Sequence, residues 1–562
     1  MSLGWSDRPR PRRVAVAARF GAALSAAVVA GAGLTTTSAA AAPAAAGVPG
    51  GPGAPAAATA QWIVVVDGPL EPLQHAVTAA GGSVVRALPG IGQAVVRLDA
   101  RGAAALHAVA GVRVVSPDRA VTLSGAAYDP ATDAGAPAVL AQSTGAAALW
   151  AQGVTGEGVD VAVLDTGVAP VAGLDSAERV VLGPDLSFDS QDRDTDRGLD
   201  GYGHGTHMAG LIAGRDADVA DPATAAPEQF TGVAPGARVV SLKLGDRSGA
   251  VDVSQVIAGI DWVVQHRADD GLNVRVLNLS FGTDSAQSYL LDPLAYAAEA
   301  AWRHGLVVVA AAGNAGDSGD VPGLTNPAYD PVVLAVGATD THGTASTADD
   351  TVAAFSNRGA GGRNPDVVAP GTSLLSLRVP GSAIDTEYGA TAAVGERFFR
   401  GSGTSQAAAV VSGAAALLLS QRPELTPDQV KALLTSTAYE LPGTSVQAQG
   451  HGTLDLAAAA AAATPVVPAP DYLSTGTGTI EGSRGSAHLE LDGVQLSGEQ
   501  DIFGNPVDTA ALAAAEDAGT AWDGGTFNGA QWAGEGWTTT TQWAGLSWAG
   551  RSWAGLSWAG RS

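Results

Sequence analysis

Short apolar runs alternate with longer stretches of helical period through most of the chain. Five such runs stand out, at 159–164, 239–244, 275–279, 306–311 and 332–336. Each is too short for a buried helix and apolar on both faces, as strands of a covered parallel sheet are. Helical periods fill the gaps at 207–213, 253–265 and 294–304, and a further apolar helix is expected at 407–420. The order predicts an α/β domain over residues 143–456, a mainly parallel sheet with helices on both faces. Ahead of it, strands at 62–66, 84–88, 93–98 and 112–115 and helices at 70–80 and 103–109 spell β-α-β-β-α-β, a small ferredoxin-like α+β module within 61–122. Residues 123–142 read as loop.

The ends of the chain break this pattern. Arg8, Arg10, Arg12, Arg13 and Arg19 precede an uncharged apolar run at 20–34, and small residues follow at 38–42. That is the layout of a secretory signal peptide over 1–42, cleaved near Ala40 or Ala42. The run is short for a membrane span, so release from the cell is expected, with an uncleaved anchor as the alternative. Residues 43–60 and 457–470, rich in Ala and Pro, read as linkers. A small module at 471–521 carries a hairpin expected around Asp492-Gly493. From Trp522 to the end the chain becomes Trp-rich: Trp532, Trp537, Trp543, Trp548, Trp553 and Trp558 recur every five residues, with one spacing of six. A period of five fits neither one helix stripe nor one strand face. The tail at 522–562 is thus either a surface for polysaccharide, cell wall or a partner, or an extension lost on maturation.

Charge and composition narrow the chemistry. A net charge of −25 repels polyphosphate and argues against nucleic acid as a partner. The absence of cysteine excludes a thiol nucleophile, a thiolate metal site and any disulfide. Reactive groups of a parallel sheet lie at the carboxyl ends of its strands. Asp165 follows the run at 161–164, and Asn314 closes the run at 307–313. His204 opens a helix in Gly203-His204-Gly205-Thr206-His207, and Ser405 opens another after Gly401-Ser402-Gly403-Thr404. Each alone is a turn, a cap or a loop amide. Together they are an acid, an imidazole, an amide and a hydroxyl, the parts of an acyl-transfer site.

Asp-Thr-Gly at 165–167, His-Gly-Thr-His at 204–207, Ala-Ala-Gly-Asn at 311–314 and Gly-Thr-Ser at 403–405 resemble, in that order, the motifs of the subtilisin-like serine proteases (subtilases). The resemblance implies a subtilisin-like fold and a secreted serine endopeptidase. Ser405 would be its nucleophile, His204 its general base, Asp165 the residue orienting the imidazole, and Asn314 an oxyanion donor. It also implies that Ser280, Phe281 and Gly282 pair with extended substrate backbone, and that Ala311, Ala312 and Gly313 wall the pocket before the cut. Protein or peptide substrates are expected, with no cofactor for the chemistry. The module at 61–122 resembles the inhibitory propeptide of the family, cut away near 123–142 by the enzyme itself. Gln406 and Ala409 depart from the usual Met and Pro. Asp189, Asp192, Asp194, Asp196 and Asp200 crowd the loop before His204, read either as a structural calcium site or as a solvated acidic loop. A surface-binding protein that displays the fold through its Trp-rich tail is the competing function.

Overall fold

The computed structural model describes residues 60–532, apart from 67–69, 89–92, 110, 118–127, 192–197, 317–322, 343, 469–471, 473 and 492–493, and also the strand 544–545. The expected signal peptide, the linker before 60 and nearly all of the tail beyond Trp532 lie outside the described residues. Two compact units divide the chain after Leu123.

The first unit has β1 (Ala60–Val66), α1 (Glu71–Ala79), β2 (Ser83–Leu88), β3 (Gln93–Leu98), α2 (Ala100–Leu106) and β4 (Val112–Pro117). Its sheet runs β2-β3-β1-β4 with antiparallel neighbours throughout. Alternate residues Val64, Val66, Val96 and Leu98 turn inward with Leu73, Val77 and Leu106 from the helices. This is the ferredoxin-like order that the pattern predicts.

The second unit opens with α3 (Pro137–Ser143), α4 (Ala146–Trp150), β5 (Asp160–Asp165), β6 (Val180–Asp185), α5 (His204–Ala213) and β7 (Arg238–Lys243). It continues through α6 (Val253–His266), β8 (Val274–Leu279), α7 (Pro293–Arg303), β9 (Val307–Ala311), β10 (Leu334–Asp340), β11 (Thr351–Val352) and β12 (Val367–Pro370). Then come β13 (Leu374–Leu377), α8 (Ala383–Ala392), β14 (Ala393–Val394), β15 (Phe398–Gly401) and α9 (Thr404–Gln421). The sheet order is β11-β10-β9-β8-β5-β7-β6, and β12 also pairs with β10. Every pairing is parallel except β10 with β11. β5 sits where the order reverses, between β7 and β8, which puts Asp165 at the crevice such a reversal opens. α9 is buried from Thr404 to Leu419, so its helix start is fixed from all sides.

Two stretches read as loop or linker are helical. Residues 137–143 form α3, with proline in its first turn and Val139, Leu140 and Ala141 buried. After α10 (Pro427–Ser436) and α11 (Val446–Gln449), the Ala run forms α12 (Leu456–Ala461), whose start is capped by Asp455 accepting from Ala458 N. Alanine has the highest helix propensity, and a cap with a packing surface is enough to realise it.

The described residues that follow belong to the same unit. They form α13 (Ile480–Arg484), β16 (Leu489–Leu491), β17 (Val494–Gln495), α14 (Thr509–Ala518), β18 (Trp522–Asp523), β19 (Thr526–Phe527), β20 (Ala530–Gln531) and β21 (Ala544–Gly545). Leu491 pairs with Val494, the hairpin expected around 492–493. Arg484, wholly buried, pairs with Asp252 at the start of α6 at 2.7 Å. Trp522, the first residue of the expected tail, is buried and donates to Ala258 O at 2.9 Å. Trp532 is buried too, edge-on to Phe503 and Phe527 at 4.9 and 5.6 Å. Both are core residues.

Candidate active site

The four polar residues picked out in the sequence lie at the carboxyl edge of the sheet. Asp165 is the last residue of β5, and His204 is the first residue of α5. Asn314 stands three residues past β9, and Ser405 lies in the first turn of α9. α5 and α9 pack against one another.

His204 Nδ1 lies 2.6 Å and 2.8 Å from the two carboxylate oxygens of Asp165, and both side chains are buried. Proton donation from Nδ1 to that carboxylate leaves the lone pair on Nε2, the tautomer a general base needs. So close an approach requires glycine at 205: a Cβ there would stand 2.1 Å from Gly167 O and 3.2 Å from Asp165 Cβ.

Asp200 holds the start of α5 in place. One of its oxygens accepts from Thr166 Oγ1 at 2.8 Å, Gly203 N at 2.6 Å and Tyr202 N at 3.1 Å. The other accepts from Thr206 N at 2.8 Å and Thr206 Oγ1 at 2.7 Å. Thr166 Oγ1 in turn accepts from Gly205 N at 3.0 Å. Burial pushes the Asp200 carboxyl above its ordinary range, and the Gly203 and Thr206 amides pull against that shift. This corrects its place among the cation candidates, because protein donors already occupy both oxygens. Asp189 likewise pairs with Lys243 at 2.8 Å, a built-in cation under the loop. Asp192, Asp194 and Asp196 lie outside the described residues. Among the described residues, no group of three or more His, Asp or Glu side chains is arranged to hold a metal ion.

His207, one turn along α5, is tied elsewhere, its Nε2 lying 3.0 Å from the Phe399 carbonyl on β15. Burial, with His204 nearby adding to it, lowers its pKa to about 3.

Asn314 is oriented by Thr404, a residue the sequence reading passed over. Asn314 Oδ1 accepts from Thr404 N at 2.8 Å and Thr404 Oγ1 at 2.9 Å, and Thr404 Oγ1 accepts from Gly313 N at 3.1 Å. With Oδ1 so engaged, the Nδ2 end of the amide is the end left to donate. Ser405 Oγ donates to Ser280 O at 3.4 Å, and Ser280 Oγ donates to Ser405 O at 3.3 Å.

Ser280, Phe281 and Gly282 run on from β8 without joining a strand; the next residue, Thr283, bridges to Asn326. A Cβ on Gly282 would stand 2.5 Å from Thr325 Oγ1. Thr325 also bonds Ala311 O and Ala312 O, each at 3.1 Å. Thr325 therefore links the two segments expected to line the substrate cleft. The signal for Thr404 was available in Gly-Thr-Ser. That for Thr325 was not, since its partners lie on other segments of the chain.

Residues 156–452 match the model of the subtilase family, peptidase family S8. The serine protease AprX of Bacillus subtilis (strain 168) is 38% identical over 289 residues, which cover 50% of this chain and 62% of AprX. Subtilisin DY of Bacillus licheniformis is 34% identical over 310 residues, 55% of this chain and 93% of that protein. Among solved structures, fervidolysin of Fervidobacterium pennivorans, described as a keratinolytic enzyme related to subtilisin, aligns at 26% identity with a TM-score of 0.46 over 73% of this chain and 62% of fervidolysin.

Proposed function

The chain belongs to the subtilase family, and we propose that it is a serine endopeptidase that cuts protein or peptide substrates with Asp165, His204 and Ser405. The observation that carries this reading is the buried His204–Asp165 contact at the start of α5, a helix packed against α9, whose first turn holds Ser405. Ser405 Oγ adds to the scissile carbonyl while His204 Nε2 takes its proton. That proton then passes to the leaving amine as the C–N bond breaks, and water hydrolyses the acyl-enzyme by the same route. Asp165 fixes the tautomer and stabilises the imidazolium. Asn314 Nδ2 and the Ser405 N–H donate to the oxyanion, where loss of one donor costs roughly 10²–10³ in turnover. The cleft walls are Ser280, Phe281 and Gly282 on one side and Ala311, Ala312 and Gly313 on the other. The chemistry needs no cofactor.

The first unit serves, in this reading, as an inhibitory propeptide of a secreted zymogen. Its ferredoxin-like fold and its place ahead of the protease unit support that role. Among the described residues no helix is long and apolar enough to cross a membrane. One experiment tests both halves. A serine-directed phosphonate is expected to label Ser405 in the wild type and nothing in Ser405→Ala. Intact mass is expected to show loss of the first unit in the wild type and its retention in the variant. An unlabelled Ser405 in folded protein sinks the catalytic assignment, and equal processing of both proteins sinks self-cleavage.

A further inference from the structure

Gln406 follows the proposed nucleophile, in the first turn of α9, and is wholly buried. Neither Oε1 nor Nε2 of its carboxamide has a hydrogen-bond partner among the described residues. Its direction is fixed by Gly403. A Cβ on that glycine would stand 2.7 Å from Gln406 Oε1, 3.4 Å from Asn314 Nδ2 and 3.7 Å from Asn314 Oδ1. The two carboxamides thus approach the same side of Gly403, and glycine leaves the room for both. A half-turn of the Gln406 amide exchanges Oε1 for Nε2 at little steric cost.

We propose that Gln406 is a third donor to the oxyanion, with Nε2 bonding the substrate oxygen beside Asn314 Nδ2 and the Ser405 N–H. The proposal rests on the catalytic reading given above. A buried amide without a partner destabilises the resting protein, and an apolar side chain would pack there as well. The amide gains its partner when a negative oxygen forms at the head of α9. An interaction made only at that stage raises kcat rather than tightening substrate binding. It adds no bond and moves no proton, so Ser405 and His204 keep their steps.

The test uses the full-length chain after activation, with functional sites counted by phosphonate titration, and a peptide anilide as substrate. Gln406→Met keeps the length and removes the donor. Its kcat is expected to fall about 10- to 100-fold, with KM within about twofold and Tm equal or higher. Asn314→Ala, measured beside it, reports on the oxyanion site itself. Wild-type kcat in Gln406→Met with a crippled Asn314→Ala overturns the proposal alone; wild-type kcat in both overturns the catalytic reading beneath it. A raised KM at unchanged kcat also overturns the donor role. Gln406→Glu keeps the shape and donates only while protonated, so its kcat is expected to drop below wild type as pH rises. A pH profile that superimposes on the wild type rejects the proposal even if Gln406→Met does not fold.

Discussion

Single side chains at the site do two kinds of work, and Asp200 shows the difference. It touches neither Asp165 nor Ser405 by hydrogen bond, yet it accepts from the two threonines and two of the amides that set where α5 begins. Asp200→Ala leaves those donors buried without an acceptor, a loss of about 3–5 kcal/mol. Urea unfolding should show that loss, and kcat should fall further than KM rises because His204 loses its seat. A normal unfolding midpoint with normal kcat would remove Asp200 from this role. Gln406 is the reverse case: its unpartnered amide costs stability in the resting protein, about 1–3 kcal/mol for such a group.

At the scale of elements, the segment from α13 to β20 is part of the protease unit. Arg484 bonds the carboxylate of Asp252, and that same carboxylate accepts from Ser254 at the start of α6. Removing one partner of a fully buried pair leaves the Asp252 charge uncompensated, so Arg484→Ala is expected to cost about 3–5 kcal/mol, and Arg484→Met less because its longer side chain fills the space that Ala leaves empty. Denaturant midpoints of the two variants check the order. Limited proteolysis should then release the segment after 474 from Arg484→Ala before the sheet itself opens. Resistance of that segment equal to wild type contradicts the anchoring role.

The whole molecule carries buried groups that respond to pH with opposite signs. Burial, with Glu516 nearby, holds the Asp261 carboxyl well above its usual range, and burial pushes Glu516 up to about 8 against the opposing pull of Arg303. Between the ordinary Glu value near 4.5 and about 8 the folded chain therefore binds more protons than the unfolded one, and this pair lowers stability as pH rises. His207 works the other way. Its folded pKa of about 3 lies below the ordinary 6.5, so the unfolded chain takes up more protons as pH falls through that window, and stability is lost on acidification. Tm measured against pH should show both limbs. Glu516→Gln should flatten the alkaline side and leave the acid side; an unchanged alkaline limb would assign it to other groups.

What the sequence determined by itself is most of the strands and helices around the candidate site, and the candidate residues themselves. Apolar runs of strand length and helices of apolar period are local properties, and they located β5, β7, β8, β9 and β10, and α5, α6, α7 and α9, to within a few residues. The motif residues Asp165, His204, Asn314 and Ser405 were legible because backbone transitions at strand ends and helix starts are also local. Tertiary structure decided the partners. Asp200 read as one carboxylate in an acidic loop because charge spacing does not reveal five donors arriving from Thr166 just past β5, from the turn before α5 and from Thr206 in its first turn. Trp522 and Trp532 read as the opening of a repeat because a period of five hides that they reach Ala258, Phe503 and Phe527. The Ala run at 457–461 read as linker because low complexity and a capped, packed helix share one composition. For the two tryptophans and the Ala run the deciding term is burial against residues remote in sequence, which no window along the chain contains; for Asp200 it is the fold of the short turn into α5, which brings nearby donors onto one carboxylate.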